Sequence, residues 1–271
     1  MKPTYRSTHN EYLIPQFWQS LTHPDYWAYS SWLAIATKYR RTSLGLLWAM
    51  VPTAVFVVVL GNIYSHLMGY PIEQYLPYLG VGYVLWRFMI HVINDAVTTF
   101  HLHKAFIMEG RIRLTDFVLS SFAKAGFYLF FGGAIVLCVF LWSPILHVSA
   151  LWTLLLTLPL LVINMAWVAV CIAMLGARFP DIQEVIGTVL ILGLLLTPIL
   201  WPIEKFPADS VRGIVVRFNP AFHLIDVVRA PLLGRMPETV SIVAVVAMGI
   251  IGWVLASILF RRYARFVPLW V

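Results

Sequence analysis

From Ala125 to Ala177 the chain carries no Asp, Glu, Lys or Arg, and none occurs from Thr42 to Ile72 either. Helices built from such runs are apolar all round, and apolar-all-round helices belong in a bilayer rather than on a water-facing surface. Composition agrees: 61% of the 271 residues are hydrophobic and 11% are charged, against a soluble norm of about 25%. Windows of about 20 apolar residues, the length a span needs, fall at 46–67, 77–100, 117–142, 150–177, 185–201 and 240–260. The expected fold class is an all-α integral membrane protein with six transmembrane helices.

Charge sets the expected orientation. Six spans place both termini on one side. With that side cytoplasmic, the inner segments hold Lys2, Arg6, Lys38, Arg40, Arg41, Lys104, Arg111, Arg113, Arg178, Arg261, Arg262 and Arg265, while the two short outer loops hold no Lys or Arg. The net charge of +7 sits beside hydrophobic runs, so it points to anionic lipid headgroups and away from nucleic acid. Cys138 and Cys171 lie inside apolar runs and suggest neither a disulfide framework nor a metal site. The first forty residues lack a basic tip followed by an apolar run, so no cleaved signal peptide is expected.

Two regions flank the spans. Residues 26–39 crowd Tyr26, Trp27, Tyr29, Trp32 and Tyr39 ahead of Lys38, Arg40 and Arg41, which predicts an interfacial amphipathic helix on the inner leaflet. Residues 202–238 are too apolar for a solvated loop. They read as two short re-entrant helices at the outer face, 209–218 and 222–233, split by Asn219-Pro220 because proline disfavours helix at the residue before it. No internal repeat of the kind common in secondary transporters is visible.

The run 38–52, KYRRTSLGLLWAMVP, resembles the approach to the first span of the type-2 ABC permeases that export polysaccharides: a basic pair (Arg40, Arg41), then Leu44-Gly45-Leu46-Leu47-Trp48, then Pro52. Gly82, Trp86 and Phe88 are similar to that family's second span, and Arg178-Phe179-Pro180-Asp181-Ile182 to the turn after its fourth. Thr197-Pro198-Ile199-Leu200-Trp201-Pro202 and Phe218-Asn219-Pro220 are similar to the end of its fifth span and its outer helices. The order of these matches covers nearly the whole chain. Between spans two and three the family often reads Asn-x-x-Leu-Ile and then Phe-Pro; here HKAFIMEGRIRLTDF stands instead, with no proline.

The resemblance implies one permease domain over 1–271: a cytoplasmic stretch and interfacial helix (1–43), spans one to five (44–201) with a coupling segment (101–116), outer helices (202–238), then span six and a cytoplasmic tail (239–271). It implies a homodimer with two separate ABC ATPase subunits in a bacterial inner membrane, exporting an O-antigen-like, capsular or teichoic-acid polymer on a lipid anchor. The polymer and its anchor stay open. The coupling segment is the expected ATPase contact: His101, His103, Lys104, Phe106, Ile107, Met108, Glu109, Arg111 and Arg113. A plain solvated loop is the alternative, although Phe106, Ile107 and Met108 together would be costly to expose without a partner.

The chemistry fits a subunit that binds cargo and hydrolyses nothing itself. A P-loop needs a lysine after glycine, and Lys2, Lys38, Lys104, Lys124 and Lys205 follow Met, Thr, His, Ala and Glu. No cofactor is therefore expected in this chain; ATP and Mg would be bound by the partner ATPase. No catalytic or metal residues are assigned, since His101 and His103 do not share a helix face. Lys38, Arg40 and Arg41 could grip a lipid phosphate where substrate is admitted, or simply set topology. Arg87 sits inside a span, where a charge costs at least ~2.5 kcal/mol and faces a cavity or partner. With Trp48, Trp86, Phe88 and Trp201 it forms the expected channel lining, and Lys124 could snorkel. Pro202, Asn219, Pro220 and Asp226 mark an outer gate or a structural cap. A membrane-embedded glycan or lipid transferase would need clustered acids or a His/Asp set, and an ion-coupled secondary transporter an acid mid-span; the sequence offers neither.

Overall fold

The computed structural model describes residues 12–144, 152–206 and 209–271, and every regular element among them is helical. Lys2, Arg6 and Ala150, used in the expectations above, lie outside those residues. Helices α1 (Leu13–Thr22) and α2 (Asp25–Tyr39) precede a 3-10 turn at Gly45–Ala49. Then come α3 (Val51–Met68), α4 (Ile72–Leu102), the short α5 (Lys104–Glu109), α6 (Leu114–Trp142), α7 (Leu154–Arg178) and α8 (Ile182–Leu196). The chain continues through α9 (Val211–Arg217), α10 (Pro220–Leu232), α11 (Thr239–Tyr263) and α12 (Val267–Trp270).

Local chemistry sets several of these boundaries. Pro52 opens α3, where its missing N–H costs nothing, and Gly69 closes it with φ 74°. Gly110 ends α5 in the same left-handed way. The Asn219 side chain caps α10 by accepting from the Ala221 amide at 3.0 Å, and Pro220 occupies the first helical position. That Asn-Pro pair separates α9 from α10, close to the split expected between 209–218 and 222–233.

Among the described residues, five segments are long and apolar enough to cross a membrane: Gly45–Met68, Ile72–Leu102, Leu114–Trp142, Leu154–Arg178 and Thr239–Trp270. The remaining expected span, 185–201, is helical only as Ile182–Leu196, about 22 Å long at 1.5 Å per residue. Pro198 and Pro202 account for the shortening: Thr197, before the first proline, is already extended with ψ 139°. The unwound backbone that follows is buried, and its carbonyls are taken. Tyr78 donates to Pro198 and Trp201 at 2.9 and 3.0 Å, Tyr75 donates to Leu200, and Arg229 donates to Pro198 at 2.7 Å. Irregular backbone survives at membrane depth only when its polar groups are met in this way.

Helix α4 is the axis of the bundle, packing against α3, α6, α7 and α8, and α11 packs on α7. Small residues let neighbours close in. Gly132 of α6 faces Val84, and Gly176 of α7 lies directly against the Val97 carbonyl.

A helix forms over most of the stretch 26–39 as α2, and it runs lengthwise along α6. Tyr26 meets Phe117 (ring centroids 5.4 Å apart), Ser31 donates to the Ser120 carbonyl at 3.2 Å, and Lys38 donates to the Tyr128 hydroxyl at 2.7 Å. Tyr29 and Trp32 stay exposed. Helix α1, which sequence periodicity did not mark, buries Leu13, Gln16 and Ser20, and Ser20 shares a 2.6 Å hydrogen bond with Thr115.

Candidate functional site

Along α4, Tyr83, Arg87, His91 and Thr98 are partly exposed and Asn94 is exposed. Their spacing of four, four, three and four residues puts them on one face, with Ile90 the apolar interruption. Trp86, Phe88, Met89, Val92 and Ala96, on the other faces, are buried. A span with a polar stripe left partly uncovered must turn it towards water, cargo or another protein surface, since lipid cannot satisfy it.

The stripe is joined by side chains from three other helices. Arg87 donates to the Thr53 hydroxyl of α3 at 2.8 Å and to His91 Nε2 at 3.4 Å, and lies 5.9 Å from the Tyr83 ring centroid. Tyr83 stacks on Phe56. His91 stacks on Tyr128 of α6 with centroids 4.2 Å apart and planes within 13°. Lys38, at the end of α2, bonds the Tyr128 hydroxyl and sits 5.5 Å from the Tyr39 ring centroid. One turn along, Lys124 pairs with Asp95 at 2.9 Å. The lengthwise packing of α2 on α6 is what carries Lys38 to the level of Arg87 and His91. Arg40 and Arg41, beyond the end of α2, are exposed.

The residues expected to line a channel do not converge. Trp86 and Trp201 line a cavity of about 1120 Å³, almost wholly apolar, between α7, α8, α9 and α11, together with Asn219 and Pro220. Trp86 is packed so closely on Gly193 that a Cβ there would come within 2.7 Å of the indole. Trp201 donates from Nε1 to the Leu195 carbonyl at 3.0 Å. Phe88 lies in the core beside Phe122, and Trp48 is exposed in the 3-10 turn. Arg87 stands apart from this cavity, on the α3 side of α4. Pro202 and Asp226 are buried, and Asp226 accepts from the Glu238 amide at 3.2 Å. Two ion pairs hold the same end of the bundle, Arg217 with Glu238 and Arg235 with Glu204. Arg229 is buried against the Tyr78 ring, 4.0 Å from its centroid.

At the other end, α5 forms the corner between α4 and α6. The expectation that Phe106, Ile107 and Met108 all need an outside partner is corrected here: Ile107 is 4% exposed and belongs to the core, while Phe106 and Met108 are exposed. His103 is turned inward, donating from Nδ1 to the Thr99 carbonyl at 2.7 Å, and burial holds its pKa below the usual histidine value. His101 donates to the Gly176 carbonyl at 3.1 Å. Arg113 opens α6, its amide donating to Asp116 at 3.3 Å. Lys104, Glu109 and Arg111 are exposed.

His91, Tyr128 and Thr53 were missed at the sequence level. His91 lies one turn beyond Arg87 and was open to detection by that spacing; Tyr128 and Thr53 carry no local signal.

Among the described residues, an all-helical bundle with several membrane-long helices is that of a multi-pass membrane protein, and a polar face is left partly open along its central helix. A family model described as ABC-2 type transporter matches residues 27–233, and the chain belongs to that family of permease subunits, which are not enzymes. It is 21% identical over 246 residues to the O-antigen export system permease protein RfbA of Myxococcus xanthus, covering 86% of this chain and 90% of that protein. It is 20% identical over 212 residues to the polysialic acid transport protein KpsM of Escherichia coli, covering 77% of this chain and 81% of that protein. Membership of the family implies an ABC ATPase partner.

Proposed function

We propose that this chain is the membrane subunit of an ATP-driven exporter that moves a lipid-linked polysaccharide, O-antigen-like or capsular, out of the cytoplasm. The observation that carries the reading is the partly exposed polar face of α4, bordered by Lys38, Tyr128 and Lys124. Hydroxyls, an amide and aromatic rings suit a glycan that slides, and cations suit an anionic lipid head. The names of the two relatives support the cargo class.

Two copies would assemble with their open α4 faces turned to one shared path between them, with two ATPase subunits that bind ATP and Mg. Helix α8 would complete a sixth crossing together with the unwound 197–202 segment. The α9–α10 pair would dip into the outer face, with Pro202, Asn219, Pro220 and Asp226 around the exit, and both termini would lie in the cytoplasm of a bacterial inner membrane. Lys38, Arg40 and Arg41 would receive the lipid head, and the exposed Phe106 and Met108 of α5 would press into the ATPase.

Deleting the gene in its native host, followed by fractionation and glycan blotting, tests the reading. Full-length lipid-linked polymer should accumulate in the cytoplasm. An unchanged amount of surface polymer would contradict polysaccharide export, and a total lack of polymer would favour a biosynthetic enzyme.

A further inference from the structure

Two cations lie inside the spans near the α4 stripe, and the fold treats them differently. Lys124 has Asp95 at 2.9 Å. Arg87 has no carboxylate partner among the described residues; the Thr53 hydroxyl, a histidine nitrogen and the Tyr83 side chain are what its guanidinium meets. Holding a guanidinium at that depth without an anion is costly, and such residues mark binding pathways.

The neighbours of Arg87 are arranged as donors. The Tyr128 oxygen accepts from Lys38 at 2.7 Å and from the Tyr39 hydroxyl at 3.4 Å, which leaves its own proton to be donated. His91 Nε2 accepts from Arg87, so the neutral ring carries its proton on Nδ1. The sequence Lys38–Tyr128–His91–Arg87 is therefore an unbroken chain of contacts from the end of α2 to the middle of α4, and every member has a donor left over. Counting Lys124 and Asp95 as well, three cations stand against one carboxylate.

We propose that Lys38, Tyr128, His91 and Arg87 form an oxyanion-binding site on the cargo path, taking a phosphate or a carboxylate group. Resting on the permease reading above, this adds a chemical selectivity to it: cargo bearing an anionic group is engaged at mid-bundle, and neutral cargo is not. Arg87 supplies the planar fork that phosphate and carboxylate both fit, and Lys38 the mobile point charge. The anion has two sources, the phosphate of a lipid anchor or the acidic sugars of the polymer.

Calorimetric titration of the purified full-length chain in detergent tests the site, using inorganic pyrophosphate, farnesyl pyrophosphate and a trigalacturonate, with farnesol as the neutral control. At least one anion should bind, farnesol should not, and Arg87→Gln and Lys38→Gln should each weaken binding at least tenfold. Arg87→Lys, which keeps the charge and loses the fork, should weaken it less, and Lys205→Gln should leave it unchanged. Preference for the pyrophosphates assigns the site to the lipid anchor, and preference for trigalacturonate assigns it to the polymer. Size-exclusion profiles matching the wild type confirm that each variant is folded. No binding by any of the three anions, or binding unaltered in both glutamine variants, overturns the proposal. The gene deletion tests export separately, so a failed export reading leaves this titration's outcome standing.

Discussion

At Gly176 a Cβ would sit 2.0 Å from the carbonyl oxygen of Val97, and the obstacle is backbone that no rotamer change can move. Gly176→Val should therefore force α7 away from α4 and cost about 1–3 kcal/mol, towards the upper end, as overpacking does. A thermal melt of the detergent-purified protein checks this; a Tm unchanged from wild type would contradict the close approach. His103 makes a second prediction at this scale. Burial lowers its pKa most, the hydrogen bond to Thr99 opposes that, and nearby Lys124 lowers it again. A lowered pKa means that the folded corner favours the neutral ring. Its stabilising contribution is complete above the unfolded value of about 6.5 and is lost as pH falls through the lowered one. Protection of the amides around α5, measured against the intrinsic exchange rate at each pH, should fall as pH drops below about 6.5, and His103→Gln should abolish that dependence. Arg87 was legible because a charge inside an apolar run stands out. Its grouping with Lys38 was not, because Tyr128 reaches His91 from α6 and Lys38 reaches Tyr128 from α2, and such pairings depend on how the helices pack.

The elements divide according to how much of their shape is local. Helices α3, α4, α6, α7 and α11 follow from unbroken apolar length, and the α9–α10 boundary follows from Asn219 and Pro220. Helix α8 needed more, because its apolar run continues to Trp201 while Pro198 and Pro202 stop the helix at Leu196. The three partners that make this break tolerable, Tyr75, Tyr78 and Arg229, come from distant positions. Helix α5 shows the same division within a single turn. Met108 is exposed and Ile107 is in the core, so the two should respond differently to the same charge. Met108→Asp should insert and fold normally yet fail to co-purify the ATPase. Ile107→Asp should reduce the yield of folded protein, since burying an unpaired carboxylate costs several kcal/mol. Retention of the ATPase by folded Met108→Asp protein would contradict the coupling role of α5.

For the whole molecule, α4 sets the plan. At 31 residues it is about 46 Å long, more than the hydrocarbon thickness of about 30 Å, so part of it stands outside the apolar layer. It is packed by α3, α6, α7 and α8, and the stripe from Tyr83 to Thr98 stays only partly covered. Composition and charge-free runs made the membrane class readable, and ordered short motifs made the family readable. The stripe was half-readable: Arg87 was singled out, while Phe88 and Trp86 beside it in sequence turn to other sides of the same helix. If the subunit works as proposed, this face borders a water-filled path. Single cysteines at 83, 87, 91, 94 and 98, and at 86, 88 and 92 as buried controls, would be introduced after replacing Cys138 and Cys171 and exposed to a membrane-impermeant maleimide in inside-out vesicles. The first set should label and the second should be protected, with added lipid-linked polymer slowing labelling along the stripe. Labelling without the helical periodicity, or none on the Tyr83–Thr98 face, would contradict it.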